Sequence, residues 1–288
     1  MTNTLKLIFK ISRFRFWIYT GGTYVVGYAL GFNNIIDFFK LNYYVYLIYF
    51  FLLANIFIYG VNDYWDKETD RNNPKKEEKE HRVEDKERKG LLRILYFVGA
   101  ISIILMIFQD NIERILFLIF LFLSYFYSAK PLRFKQVPFL DFTSNYLYVM
   151  PGIFSYYMVS KTLPPLIFLL GAFFHIAAMH IFSAIPDTKY DKEAGITTTP
   201  VFIKEKPSLI LCLIFWSLLS YIVIISSKFN PLSYLVLLYP LFPFILLIKK
   251  ELKIEKLYWY LPYVNTCLGG LLFTSLVLYK TFFIFINL

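Results

Sequence analysis

Nine apolar runs, each close to the length of a bilayer crossing, leave this chain few ways to fold. They lie at about residues 16–32, 42–61, 91–108, 112–129, 139–160, 164–186, 207–227, 231–248 and 260–287. A spanning helix needs roughly 17–25 residues. In hydrocarbon every backbone N–H and C=O has to be satisfied from within, which a helix achieves and a lone strand does not. The third and fourth runs are short and separated only by "QDNIE". Composition agrees: 58% of the residues are hydrophobic, 21% are aromatic and the mean hydropathy is +0.54, outside the range of a soluble globular domain. The expected fold is all-α, a polytopic membrane helical bundle of about nine transmembrane helices.

Lysine and arginine orient it. With the amino terminus on the cytoplasmic side, the N-terminal arm and the loops after even-numbered runs hold every basic residue except Lys40, Arg114, Lys161, Lys228 and Lys280. The expected location is therefore the cell membrane, multi-pass, with the amino terminus and the even-numbered loops cytoplasmic. The net charge of +10 reflects this topology, and no basic helix or zinc-finger spacing points to nucleic acid. The first run opens with "SRFRFWIY" and lacks a small-residue cleavage site, so no removed signal peptide is expected. Cys212 and Cys267 stand alone in different runs and read as buried unpaired thiols. Only residues 66–90, with nine acidic and nine basic side chains, form a long polar stretch. The expectation is one domain over residues 1–288, with that stretch as a charged cytoplasmic loop or cap.

Acidic clusters mark two of the inner loops. "VNDYWDKETDRNNPKK" follows the second run and "IPDTKYDKEAGITTTP" the sixth. Asn62, Asp66 and Asp70 are four apart and Asp63 lies three before Asp66, so a helix continuing past Gly60 would project all four from one face. Asp187 and Asp191 repeat the spacing, and Pro186 is expected to distort the end of the sixth helix. One such pair is more often a solvated or capping feature; two pairs on the same side of a membrane are specific. Carboxylate and amide oxygens without His or Cys partners suit magnesium before zinc, and magnesium commonly bridges carboxylates to a phosphate. Arg71, Lys130, Arg133, Lys135, Lys189 and Lys192 would complete an anion site for a diphosphate.

"NDYWDKETDRNNP" resembles the NDxxDxxxD signature of the UbiA-type intramembrane prenyltransferases, and "DTKYD" resembles their second Asp-rich motif. The resemblance runs over nearly the whole chain. It implies a helical bundle open laterally to lipid, Mg2+ bridging both motifs to an isoprenyl diphosphate, and electrophilic transfer of the prenyl group to a lipophilic acceptor. Carried over, it makes Asn62, Asp63, Asp66, Asp70, Asp187 and Asp191 the metal site, and Arg71, Tyr127, Lys130 and Lys192 residues around the diphosphate. Two positions depart from the pattern: Ala194 stands where many members carry a further carboxylate, and Phe14 replaces a proline. "YSAKPLRFKQVPFLDFTSNYLYVMPGIF" with "AMHIFSAIPDTKYDKEAGITTTP" is similar to the lycopene elongase branch, which implies dimethylallyl transfer to the ends of a carotenoid.

That mechanism calls for neutralising the departing diphosphate and shielding an allylic cation from water. Tyr127 is singled out for the cation because it sits beside the basic loop. Other acceptors, an aromatic quinone precursor or haem, remain open, and a lipid-anion transporter is the alternative from outside enzymes. Charged side chains cluster at the ends of the runs, which argues against an ion pathway. His175, His180, Asn55, Asn145 and Asn265 lie within runs and are read as helix-packing hydrogen bonders.

Overall fold

A computed structural model describes residues 3–66, 85–249 and 251–286. In chain order its α-helices are α1 (Asn3–Ser12), α2 (Thr23–Gly31), α3 (Leu41–Ile48), α4 (Ala54–Trp65), α5 (Arg88–Ile107), α6 (Asn111–Phe126), α7 (Leu140–Thr143), α8 (Met150–Ser160), α9 (Leu166–Ala184), α10 (Thr188–Glu193), α11 (Thr199–Ile203), α12 (Glu205–Ser226), α13 (Leu238–Ile248), α14 (Ile254–Leu257) and α15 (Leu261–Ile286). No strand occurs among the described residues.

Six helical stretches among the described residues are long and apolar enough to cross a bilayer: Leu41–Trp65, Arg88–Ile107, Leu166–Glu193, Glu205–Ser226, Pro231–Ile248 and Ile254–Phe282. The other three apolar runs are helical too, but shorter or interrupted. The first enters through a 3-10 turn, Phe14–Phe16, and a π-helical turn, Ile18–Gly22, before α2. The fourth is the 16-residue α6. The fifth is divided into α7, a 3-10 segment Ser144–Tyr148 and α8. The chain is a multi-pass membrane protein of helical-bundle type, and about nine is an approximate count because three crossings are broken or short.

The backbone forms two compact units. The first holds the described residues through Leu132, Met150–Leu163 and those from Gly269; the second holds Arg133–Val149 and Pro164–Leu268. In the first, α2 packs along α8 at a glycine crossing. A methyl on Gly27 would collide with the Gly152 carbonyl, and one on Gly152 would come within 2.9 Å of Thr23 O. Ser155 Oγ donates to Tyr24 O at 2.6 Å beside this crossing. Small residues allow such backbone proximity where lipid supplies no hydrophobic drive between helices. The core next to it is aromatic: the Phe50 and Phe117 rings each contact both Tyr49 and Phe154.

Two π-helical turns meet in the same unit, Ile18–Gly22 and Tyr49–Leu53. A π turn displaces carbonyls from the regular ladder, and in hydrocarbon those need donors. Thr20 Oγ1 donates to Phe50 O at 2.6 Å, and Asn55 Nδ2 reaches Phe50 O (3.1 Å), Phe51 O (2.9 Å) and Thr20 Oγ1 (2.6 Å). Asn55 is thus a packing residue, as its position within the run suggested.

The break "QDNIE" is a capped helix start. Asp110 accepts from Ile112 N and Glu113 N, Glu113 Oε2 accepts from Asp110 N, and Lys161 Nζ reaches Asp110 Oδ2 at 3.0 Å and Glu113 Oε1 at 2.7 Å. Burial raises the Asp110 carboxyl, but the Glu113 N–H and Lys161 outweigh it and hold the carboxyl below its ordinary value.

In the second unit α9 lies along α12, which packs on α13. Phe182, Trp216 and Tyr239 form the ring core. Both cysteines are free, but only Cys212 is buried as expected; Cys267 is exposed on α15, an apolar helix surface where a thiol costs little.

Candidate active site

The first acidic end is built by α4. The helix runs unbroken through Gly60 to Trp65, with Asp66 as its C-cap, the Asp66 N–H on Asn62 O at 2.9 Å. Gly60 does not end it because the missing side chain admits α5: a methyl there would stand 2.9 Å from Leu95 Cδ2. The helix thus continues past Gly60, with Asn62 and Asp63 in its last turn and Asp66 at its C-cap. Asp66 is fully buried. Asp63 Oδ1 receives Arg13 Nη2 at 2.6 Å, with the two side chains 3% and 10% exposed. The Arg13 guanidinium also lies 4.7 Å over the Tyr59 ring. Asn62 Nδ2 donates to Ser128 Oγ at 3.0 Å, which ties the end of α4 to the turn after α6. Tyr127 is the C-cap of α6 and Lys130 is exposed just beyond it. Asp70 and Arg71, and with them residues 67–84 of the expected 66–90 cap, lie outside the described residues.

A proline break and a glycine stop form the second acidic end. α9 ends at Ala184, and Pro186 lies in a 3-10 turn, Ile185–Asp187, that leads into α10. A proline has no N–H to continue the ladder, so the distortion expected from the sequence is present. Asp187 closes the turn and Asp191 lies four residues on, both partly exposed. α10 closes with Gly195 at φ +71°, its N–H on Lys192 O at 3.2 Å, and with Ile196 N–H on Asp191 O at 2.8 Å. That paired bonding is the Schellman stop, which favours glycine for its positive φ. Ala194 is the C-cap of α10, and Glu193 and Lys192 are exposed. Thr198 Oγ1 donates to Asp191 Oδ2 at 3.3 Å. Arg133, half-buried at φ 43°, opens this unit's first 3-10 turn, Phe134–Gln136.

One buried carboxylate escaped the sequence reading. Asp141 in α7 is wholly enclosed and accepts from Thr199 N (2.7 Å), Thr199 Oγ1 (2.5 Å) and Phe142 N (2.9 Å). His180 Nε2 lies 3.8 Å from its Oδ2, and Asn145 Nδ2 donates to Asp141 O at 2.5 Å. The view that charges sit only at the ends of the runs passed over it, although an aspartate in "FLDFTSNY" was the signal. His175 and Asn265 belong to a packing network: Tyr239 OH donates to Asn265 Oδ1 at 2.7 Å, and His175 stands on the Tyr239 ring at 4.7 Å.

Within either unit, the described residues hold no cluster of three or more His, Cys, Asp or Glu side chains able to enclose a metal ion. What each acidic end offers is oxygen only: amide and carboxylate from α4, two carboxylates from the α9–α10 junction. That donor chemistry fits a hard divalent cation that keeps water ligands and completes its shell on a phosphate. An apolar groove of about 530 Å³, lined by Phe57, Tyr64, Trp65, Leu95, Tyr96 and Ile103, runs along α4 to the residue before Asp66.

Known proteins resemble this chain along most of its length. A lycopene elongase/hydratase of Haloarcula japonica is 34% identical over 275 residues, 96% of this chain and 92% of that protein. One from Halobacterium salinarum is 36% identical over 273 residues, 93% of this chain and 96% of that protein. The structure of a UbiA homolog from Archaeoglobus fulgidus bound to DMAPP and Mg2+ superposes with a TM-score of 0.67 at 20% identity, covering 94% of this chain and 98% of that one, so the fold is shared. Residues 20–256 match the model of the UbiA prenyltransferase family. Acidic helix ends on a multi-pass bundle and similarity along almost its whole length thus lead to one assignment: the chain belongs to the UbiA prenyltransferase family and is an intramembrane prenyltransferase.

Proposed function

We propose that this protein transfers a dimethylallyl group from its diphosphate to a carotenoid acceptor such as lycopene, in a magnesium-dependent reaction, with both units acting as a single catalytic domain. The observation that carries this reading is the pair of all-oxygen acidic helix ends in a chain that matches lycopene elongase/hydratases along more than nine-tenths of its length. In this reading Asn62, Asp66 and Asp70 of the first motif and Asp187 and Asp191 of the second hold the metal, with Asp63 beside them. Arg71, Lys130, Arg133 and Lys192 complete the diphosphate site.

Bound Mg2+ would supply charge neutralisation for the diphosphate leaving group. The chain's own residues do the rest. Basic side chains hold the phosphate oxygens while the allylic C–O bond breaks and its electron pair leaves with the diphosphate. Tyr127 offers a ring face to the developing carbocation. A terminal alkene of the acceptor donates its π pair to form the new C–C bond. The tertiary cation that results is quenched by loss of a proton or by addition of water. The groove along α4 gives an apolar acceptor a surface to lie on. The positive-inside pattern supports a cytoplasmic location for both motifs and the amino terminus.

Expression in a lycopene-producing host tests the reading. New C45 and C50 carotenoids are expected by mass spectrometry, with or without the mass of water, and none in an Asp191→Asn host. Absence of such products alongside a prenylated quinone would move the acceptor assignment to the aromatic class; absence of any prenylated product would end the reading.

A further inference from the structure

We infer that Asp141 is a positioning residue for the second acidic motif: it sets the Thr198–Thr199 turn so that the Thr198 hydroxyl holds the Asp191 carboxylate. The inference deepens the proposed function and rests on Asp191 serving a metal–diphosphate site.

Every link of this relay lies in the second unit. Thr198 occupies the N-cap of α11, where a threonine ordinarily turns its hydroxyl onto its own helix. Here it makes no such bond; its Oγ1 donates to Asp191 Oδ2 at 3.3 Å. A different donor of the same turn goes to Asp141. The Thr199 N–H, one of the orphan donors of the first helical turn, goes to Asp141 Oδ2 at 2.7 Å, and Thr199 Oγ1 donates to Asp141 Oδ1 at 2.5 Å. Thr199 Oγ1 in turn accepts from Phe139 N at 2.7 Å, so both faces of the hydroxyl are used. One carboxylate therefore holds the backbone N–H and the side chain of residue 199, directly beside Thr198.

The burial argues for a role through others. Asp141 is 0% exposed, so it touches neither substrate nor solvent, and a buried carboxylate is costly unless it is held by several donors. What the present arrangement adds is a hydroxyl donated to one oxygen of Asp191. Partners one step removed from a metal ligand typically change metal affinity or activity by about 10–100-fold.

The test is Mn2+ titration by electron paramagnetic resonance on the purified full-length protein, with dimethylallyl thiolodiphosphate as an unreactive diphosphate. Steady-state kinetics against Mg2+ and acceptor run alongside. Asp141→Asn and Thr198→Val are each expected to weaken Mn2+ binding about tenfold and to raise the Mg2+ needed for half-maximal rate, with the acceptor KM unchanged. Thr199→Ser keeps both bonds and is expected to retain wild-type affinity, whereas Thr199→Val loses it. Wild-type Mn2+ affinity in a monodisperse Thr198→Val protein overturns the inference, and this variant decides the matter even where Asp141→Asn does not fold. Equal Mn2+ binding by wild type and Asp191→Asn would instead overturn the site assignment beneath it.

Discussion

Asp63 and Asp66 end the same helix three residues apart, yet the fold treats them differently. Asp63 is locked to Arg13 at 2.6 Å, a partner fifty positions earlier in the chain. Spacing put Asp63 among the motif residues, but no local pattern could reveal that partner; "SRFRFW" registered only as a departure from a family motif. Breaking a buried ion pair from one side costs roughly 3–5 kcal/mol, because a charge stays behind in a poorly solvated site. Arg13→Ala is thus expected to lower the melting midpoint in detergent by several degrees. On the proposed site, Asp66→Asn should abolish prenyl transfer while the midpoint stays near wild type, since the change would remove a proposed metal ligand and little packing. Thermal melts and product analysis on the same preparations check both. Prenyl transfer retained by Asp66→Asn, or an unchanged midpoint in Arg13→Ala, would refute the division of roles.

At the scale of elements, periodicity located the helices well and missed what interrupts them. No simple sequence rule marks the π turns at Ile18–Gly22 and Tyr49–Leu53; Thr20 and Asn55 donate to carbonyls of the second, and Thr23 Oγ1 to Tyr19 O and Thr20 O of the first. The break at Pro186 was legible because a missing N–H acts on its own helix wherever it sits. The α2–α8 crossing was not legible: Gly27 and Gly152 matter only because they face each other, far apart in sequence. Gly27→Ala would drive a methyl into a carbonyl that cannot withdraw without moving α8. Overpacking of this kind costs about 1–3 kcal/mol. The expected result is a lowered melting midpoint and reduced yield of monodisperse protein. Gly99→Ala, at a site with open space around the glycine, should change neither.

For the whole molecule, the distribution of lysine and arginine carries the prediction. In a chain with Cys212→Ser and Cys267→Ser, a single Lys228→Cys is expected to react with a membrane-impermeant maleimide on intact cells. A single Glu193→Cys should react only after the membrane is opened. Both positions are exposed, so access decides the outcome. The reverse pattern would place the second acidic motif on the outer side and remove it from a cytoplasmic diphosphate pool.

The membrane class, the all-α bundle and the two acidic motifs were legible in the sequence, because hydropathy, carboxylate spacing and proline chemistry act over one or two helical turns. Only tertiary structure decided which carboxylate Arg13 claims, how Thr20 and Asn55 serve the carbonyls of the Tyr49–Leu53 π turn, and that Asp141 captures Thr199 across 58 positions. The physical reason is range. A buried polar group must find a partner wherever the fold brings one near, and distance along the chain says nothing about which partner that will be.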